Sequence, residues 1–574
     1  MAILITPVKI PHMRKNFLLV LVLSAAISHA QTFTITLPKS LSDKPLDGRL
    51  FIIFSKNETP EPRLQNQLFF GIDVNDWKPG TTKTVTTTSY GFPIENLKGL
   101  AAGEYYIQAF LHKYETFHRK DGYVVKLPME HGEGAQWNIQ PGNLYSTTKK
   151  ISYNPSAKFA LSLSFDKIIE PIKEPEDSKY VKHIKIQSKL LTEFWGRPMY
   201  IGAHVLLPEG WDTHTDVKYP LAIFHGHFPA DFGDWRTTPP DENLKPDSSV
   251  RFRITGYNKI EQQENYNFYK KWTGPDFPRV IAIEIQHANQ FYDDSYAVNS
   301  ANLGPWGDAI TYELIPEIEK RFRGIGQGWA RFVYGGSTGG WESLAVQVFY
   351  PDQYNGCYAA CPDPIDFRGY TVVDIYKDKN AYFSETGFQK TPRSGMRDYL
   401  GNTTITLQQS NLMELALGDK TRSRGQWDIW EAVFSPLGKD GYPQRIWDKR
   451  TGEINKDVAK YWQDNYDLSH IIQRDWAKNG EKWKGKIHIY VGELDNYFLN
   501  NAVYNAEDVL KKLKNPECNC QVDYEPRAEH CWNGDHTQPN YISRLRYHQM
   551  FITKWADEVK TRSPQGADLT SWRY

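Results

Sequence analysis

The sequence predicts a mostly parallel β-sheet with helices on both faces, preceded by an all-β, sandwich-like domain. Three observations carry this expectation. Short apolar runs separated by Gly, Pro, Asn and Asp fill residues 31–168, the pattern of half-buried strands joined by turns. From residue 184 onward, strand-length apolar runs alternate with helical patterns, which implies parallel strands connected through helices. Between one such strand and one such helix stands Tyr334-Gly335-Gly336-Ser337-Thr338-Gly339-Gly340, a sharp serine turn of the form G-x-S-x-G.

In chain order, the first element reads as a secretory signal over residues 1–30. Met13-Arg14-Lys15 supplies a basic start, residues 17–27 an apolar run, and Ser28-His29-Ala30 the small residues of a cleavage site. Cleavage is expected after Ala30, and residues 1–12 read either as an upstream start, with Met13 the true one, or as an extended basic region. The run is shorter than the roughly 20 residues that span a bilayer, so no transmembrane anchor is expected. The mature chain is then expected to be secreted or periplasmic. No Cys precedes Cys357, which excludes a lipidated cysteine at the cleavage site.

The β module of residues 31–168 contains the alternating Phe33, Ile35 and Leu37 and further runs at 49–54, 104–111 and 159–165. Residues 169–183, with Pro171, Pro175 and many charges, read as a linker. A hairpin is expected next, from strands at 184–190 and 199–207 joined by a turn at Trp195-Gly196-Arg197-Pro198. Strands follow at 219–224, 280–285, 330–334 and 487–491, with a helix over 306–322 that lines up Ile310, Leu314, Ile318 and Phe322. The larger domain is expected over 184–560, with an insertion or lid at about 370–480 and a tail at 561–574. The insertion is rich in Trp and Asp, as in Gln426-Trp427-Asp428-Ile429-Trp430.

Composition narrows the function. Lys+Arg and Asp+Glu both total 68, so no basic stripe argues for nucleic acid. Five cysteines leave one unpaired, with connectivity open. Their spacing does not resemble a zinc site, and neither a metal nor a cofactor is expected.

The serine turn carries the chemistry. A serine at the apex of a strand-to-helix turn needs neighbours without side chains, which Gly335 and Gly339 provide. The helix behind it, with Trp341, Leu344, Ala345 and Val348 at helical spacing up to Pro351, points free N–H groups at an oxyanion near Ser337. A serine nucleophile needs a base and an orienting acid. Asp495 follows the 487–491 strand and is the expected acid, with Glu493 the alternative. His530 follows a strand at 522–525 and is the expected base, with His536 the alternative. The oxyanion donors are expected to be the N–H of Thr338 and that of His227 or Phe228, in His225-Gly226-His227-Phe228 after the 219–224 strand.

Tyr219-Pro220-Leu221-Ala222-Ile223-Phe224-His225-Gly226, Glu313-Leu314-Ile315-Pro316, residues 335–340, Gly492-Glu493-Leu494-Asp495 and His530-Cys531-Trp532 stand in the order that resembles the putative-esterase family of α/β-hydrolases, which is esterase D- or enterochelin-esterase-like. The resemblance covers about residues 180–560. It implies an α/β-hydrolase fold and hydrolysis of carboxylic esters, including acetyl or feruloyl groups on polysaccharides, siderophore esters and small thioesters. Family members commonly carry Gly-Gly-His-x-Trp. Here Ala528-Glu529 replaces the glycines, which leaves His530 and His536 both open as the base. A small-molecule or polysaccharide ester is thus the expected partner. The alternatives are a serine peptidase or acyltransferase on the same scaffold, or a catalytically decayed polysaccharide-binding protein.

Overall fold

The computed structural model describes residues 31–65, 68–227, 232 and 235–574. The expected signal segment and Phe228 lie outside the described residues.

The larger sheet has eight strands. They are β1 (Val181–Ser188), β2 (Met199–Leu206), β3 (Leu221–His225), β4 (Ile281–Gln286), β5 (Arg331–Gly336), β6 (Cys357–Ala360), β7 (Ile487–Gly492) and β8 (Gln521–Glu525). Their spatial order is β1-β2-β4-β3-β5-β6-β7-β8. β2 runs antiparallel to β1 and β4; all other pairings are parallel. The sheet is therefore mixed. Its central strands are buried nearly end to end, as in Ile281–Ile285 and Phe332–Tyr334, because layers cover them on both faces.

The helices around this sheet include α1 (Tyr257–Thr273), α2 (Thr338–Phe349), α3 (Leu468–Trp483), α4 (Asn500–Leu510) and α5 (Tyr547–Arg562). On α5, Trp555 stacks on Phe332 with ring centroids 4.4 Å apart, and His548 Nδ1 lies 2.8 Å from the Tyr334 hydroxyl. These contacts bring α5 under β5, the strand that ends at Ser337. The connections leaving β3 and β5 run to opposite sides, so a topological switch point, the usual ligand position in such sheets, falls at the carboxyl ends of these two strands.

Three local readings change. Residues 189–195 form a short helix, Lys189–Trp195, where a strand end and turn were expected. Ser188 Oγ accepts the Leu191 N–H at 3.1 Å, and this N-cap turns the chain out of the ladder. β1 starts at Val181, paired with Leu206, inside the stretch expected to be linker. The helix expected over 306–322 is split into Trp306–Ala309, a π turn at Ile310–Leu314, and Ile315–Phe322. Pro316 has no N–H to continue the i→i−4 ladder, and the wider turn absorbs the break.

Ahead of the large sheet, a three-stranded sheet of Gln31–Thr36, Thr82–Thr86 and Phe159–Ser164 packs on a second eight-stranded sheet. Phe33 and Ile35 share a core with Leu50, Ile52 and Phe54. The strand Leu46–Ser55 is apolar on its other face too, where Phe51 and Ile53 meet Trp137 and, from the insertion, Ala416 and Leu417. Arg49 seals this contact: its guanidinium donates to the Ala416 carbonyl at 2.9 and 3.0 Å. Arg424, also from the insertion, forms a buried ion pair with Glu130 at 2.8 Å. The insertion is thus clamped against the β module on one side. On the other, Phe434 packs on Trp341 of α2, with centroids 5.0 Å apart.

Candidate active site

Ser337 sits between β5 and α2 with φ 59° and ψ −123°. A non-glycine residue rarely adopts this conformation, and the surrounding packing enforces it. A Cβ on Gly339 would lie 1.9 Å from the His225 carbonyl oxygen, and one on Gly335 2.4 Å from the same atom. β3 and the start of α2 therefore touch backbone to backbone. We expect Gly339→Ala to lose at least about 3 kcal/mol of stability, since neither wall is a flexible side chain. Thermal denaturation checks this, and an unchanged melting temperature would contradict the close approach. The Ser337 N–H donates to the Ala360 carbonyl at 3.0 Å and to Cys361 Sγ at 3.2 Å, which ties the turn to the end of β6.

His530 arrives from the loop after β8. Its Nε2 lies 3.0 Å from Ser337 Oγ and its Nδ1 2.7 Å from Asp495 Oδ2. The loop is pinned by several hydrogen bonds. The His530 N–H donates to Asn496 Oδ1 at 3.1 Å, and its carbonyl accepts from Arg251 at 3.0 Å and from Asn540 at 3.2 Å. Glu529, which replaces a family glycine, pairs with Arg253 at 3.0 Å and accepts from Asn496 at 3.1 Å. Burial pulls the pKa of His530 down, but Cys531 and Asp495 beside it outweigh burial and hold it well above the usual histidine value.

Asp495 is fully buried in the turn after β7. Its second oxygen accepts the Tyr497 N–H at 2.9 Å and the Leu499 N–H at 3.3 Å. Glu493 is exposed at the strand end. His536 is half exposed and faces away, with Nδ1 2.6 Å from Glu525 and Nε2 3.1 Å from Asp523. Burial therefore separates both pairs of alternatives that the sequence left open. Trp532 packs its ring edge-on against His536, at 4.9 Å between centroids.

On the oxyanion side, Thr338 is fully buried at the first position of α2, and its hydroxyl donates to Asp363 Oδ2 at 3.1 Å. His227 is half-buried in the loop after β3. Sequence reasoning missed Asp363. Its Oδ2 also accepts from the Tyr296 hydroxyl at 2.6 Å and from Gln426 Nε2 and Trp430 Nε1, both at 3.3 Å. Burial raises the Asp363 pKa, and the Tyr296 hydrogen bond and nearby His530 and His227 offset part of that. Arg397 was also missed. From the insertion, it donates to the Asp495 carbonyl at 2.9 Å and the Glu493 carbonyl at 3.1 Å. No local pattern marks either residue: Asp363 follows β6 in a loop whose partners come from distant segments, and folding alone brings Arg397 of the insertion to the Asp495 loop.

Cys518 and Cys520 are disulfide-bonded, while Cys357, Cys361 and Cys531 are free and buried. No helix among the described residues is long and apolar enough to cross a membrane.

No curated protein sequence matches the chain. Among solved structures, it is similar to a ferulic acid esterase at 13% identity, covering 66% of this chain and 99% of that one with a TM-score of 0.34. It is similar to an S-formylglutathione hydrolase from Agrobacterium tumefaciens at 10% identity, covering 67% and 95% with a TM-score of 0.31. It is also similar to the fluorophosphonate-binding serine hydrolase F of Staphylococcus aureus at 16% identity, covering 65% and 97% with a TM-score of 0.34. The family model described as Putative esterase matches residues 266–552, half of the chain. The chain belongs to that family and is a carboxylesterase-type hydrolase.

Proposed function

We propose that this protein is an exported serine carboxylic-ester hydrolase that works through an acyl-enzyme, with acetyl or feruloyl esters of polysaccharides as its substrate class. The observation that carries the mechanism is the His530 bridge, 3.0 Å from Ser337 Oγ on one nitrogen and 2.7 Å from Asp495 on the other. Ser337 Oγ attacks the ester carbonyl while His530 Nε2 takes its proton. Asp495 holds the ring and balances the imidazolium charge. The oxyanion lies against the N–H of Thr338 and one from the loop that starts at His227, each such donor stabilising the transition state by about 3 kcal/mol. His530 gives its proton to the leaving alkoxide. Water, deprotonated by His530, then releases the acid and restores Ser337.

In this reading residues 31–168 are an accessory module and the insertion is the cap that shapes the acyl pocket, Gln426 and Trp430 being its contacts with Asp363. Export rests on the basic start and apolar run of residues 13–30. A panel of acetylated xylan, methyl ferulate and a siderophore ester tests the substrate class. Turnover of the first or second, at a kcat/KM well above the third, is the expected result; siderophore preference would displace this reading.

The pH profile follows from the base. Only neutral His530 accepts the serine proton, and its pKa stands well above 6.5. Activity should therefore fall about tenfold per pH unit below that pKa, with the midpoint of the acid limb of kcat/KM above pH 6.5. A midpoint at or below 6.5 would contradict the coupling among His530, Asp495 and Cys531.

A further inference from the structure

Behind the oxyanion side lies a second group of ionisable side chains that ester hydrolysis does not use. His225 ends β3, His227 follows it, and His287, Asp293 and Asp294 belong to the segment after β4. Glu342 lies on the second turn of α2. His225, His287, Asp294 and Glu342 are at most 2% exposed, and Asp293 7%. One ring nitrogen of His227 and one carboxylate oxygen each from Asp293 and Asp294 all lie within 4.8 Å of one another.

The spacings are informative. His227 Nδ1 is 3.6 Å from Asp293 Oδ1, His225 Nδ1 is 3.5 Å from Glu342 Oε2, and His287 Nε2 is 3.8 Å from Glu342 Oε1. These separations are too long for hydrogen bonds. The His227–Asp293 separation is close to the edge of a tetrahedron built on metal–ligand bonds of about 2.1 Å, which is roughly 3.4 Å. Both oxygens of Glu342, Oδ1 of Asp293 and Oδ2 of Asp294 are buried with no hydrogen-bond partner among the described residues. The Glu342 carboxyl nevertheless abuts that of Asp294. None of these three carboxylates pairs with a Lys or Arg among the described residues. Buried carboxylates in contact, without a cation, are strongly unfavourable.

We propose that this cluster is a divalent transition-metal site, with His227, Asp293 and Asp294 as ligands and Glu342, whose carboxyl meets that of Asp294, supporting them from behind. The mixture of imidazole and carboxylate selects Zn²⁺ or Mn²⁺ over Ca²⁺ or Mg²⁺, which prefer oxygen alone. An ion here ties the loop after β3 to the segment after β4, whose Asp294 carboxyl meets Glu342 on α2. It revises the expectation from sequence that the chain holds no metal: the pattern was not legible because the carboxylates lie far along the chain from His227.

The test uses the full chain stripped with a chelator, dialysed, and titrated with ZnCl₂ and MnCl₂ by calorimetry, with bound metal counted by elemental analysis. One equivalent of Zn²⁺ or Mn²⁺ should bind and raise the melting temperature by several degrees. Asp293→Asn and Glu342→Gln, each checked for folding by circular dichroism, should weaken binding at least about tenfold. His536→Ala, which removes the exposed His536, Asp523 and Glu525 cluster, should leave it unchanged. Three results would overturn the proposal. These are no binding of either ion to the folded wild-type chain, binding lost with His536→Ala, or binding unchanged in both Asp293→Asn and Glu342→Gln. If instead Glu342→Gln simply stabilises a chain that binds no metal, the carboxyls share a proton and no metal site exists. Binding is read without ester turnover, so failure here leaves the serine mechanism untouched.

Discussion

Replacing Ser337 with Ala abolishes turnover of p-nitrophenyl acetate, with a loss in kcat on the order of 10⁴- to 10⁶-fold. The fold survives, because the serine side chain contributes one hydrogen bond, to His530 Nε2, while the turn itself is held by backbone. The Ser337 N–H bonds to Ala360 and Cys361, and its carbonyl accepts from Gly340, Trp341 and Asp363. None of these needs the hydroxyl. Circular dichroism and melting temperature should match the parent chain within a few degrees. An alanine variant that keeps more than about a tenth of the activity would place the nucleophile elsewhere.

The second large effect separates two histidines six positions apart. His530→Ala removes the only base in reach of Ser337 among the described residues and should cost at least about 10⁴-fold in acylation rate. His536→Ala breaks half-exposed ion pairs with Asp523 and Glu525, worth little in stability, and should change the rate less than about twofold. Asp495→Asn should fall near the His530 variant, since an amide at Oδ2 favours the wrong tautomer of the ring, a change that costs about 10⁴-fold in the serine protease case. Burst kinetics with p-nitrophenyl acetate read all three. Equal, mild losses at 530 and 536 would void the assignment of the base.

What was legible in the sequence is what short-range physics dictates. Gly335 and Gly339 flank a serine because the backbone of β3 comes within 2.4 Å of where their side chains would start. The apolar runs of β3, β4, β5 and β7 read as strands because they are buried on both faces, whereas the four-residue β6 was not read as one. The helix Lys189–Trp195 was hidden, since Leu190 and Leu191 continue the apolar pattern of the strand before them and only the Ser188 cap marks the change. Asp495 and Glu493 could not be separated from spacing alone. Two residues along a turn divide a fully buried carboxylate from an exposed one, and that depends on where the His530 loop lands. The roles of Asp363, Arg397 and Gln426 were illegible for a stronger reason. Each acts across a chain separation, and Arg397 and Gln426 lie in an insertion whose placement is set by the β module: Arg49 holds Ala416, and Glu130 holds Arg424.

Labelling with a fluorophosphonate probe, followed by peptide mass mapping, tests the serine mechanism most directly. The probe reports a serine whose proton is removed by a positioned base, whatever the natural ester. One adduct per chain on the peptide bearing Ser337, lost in Ser337→Ala and in His530→Ala but kept in His536→Ala, is the predicted result. A folded chain that takes no adduct, or takes it on another residue, would contradict the account.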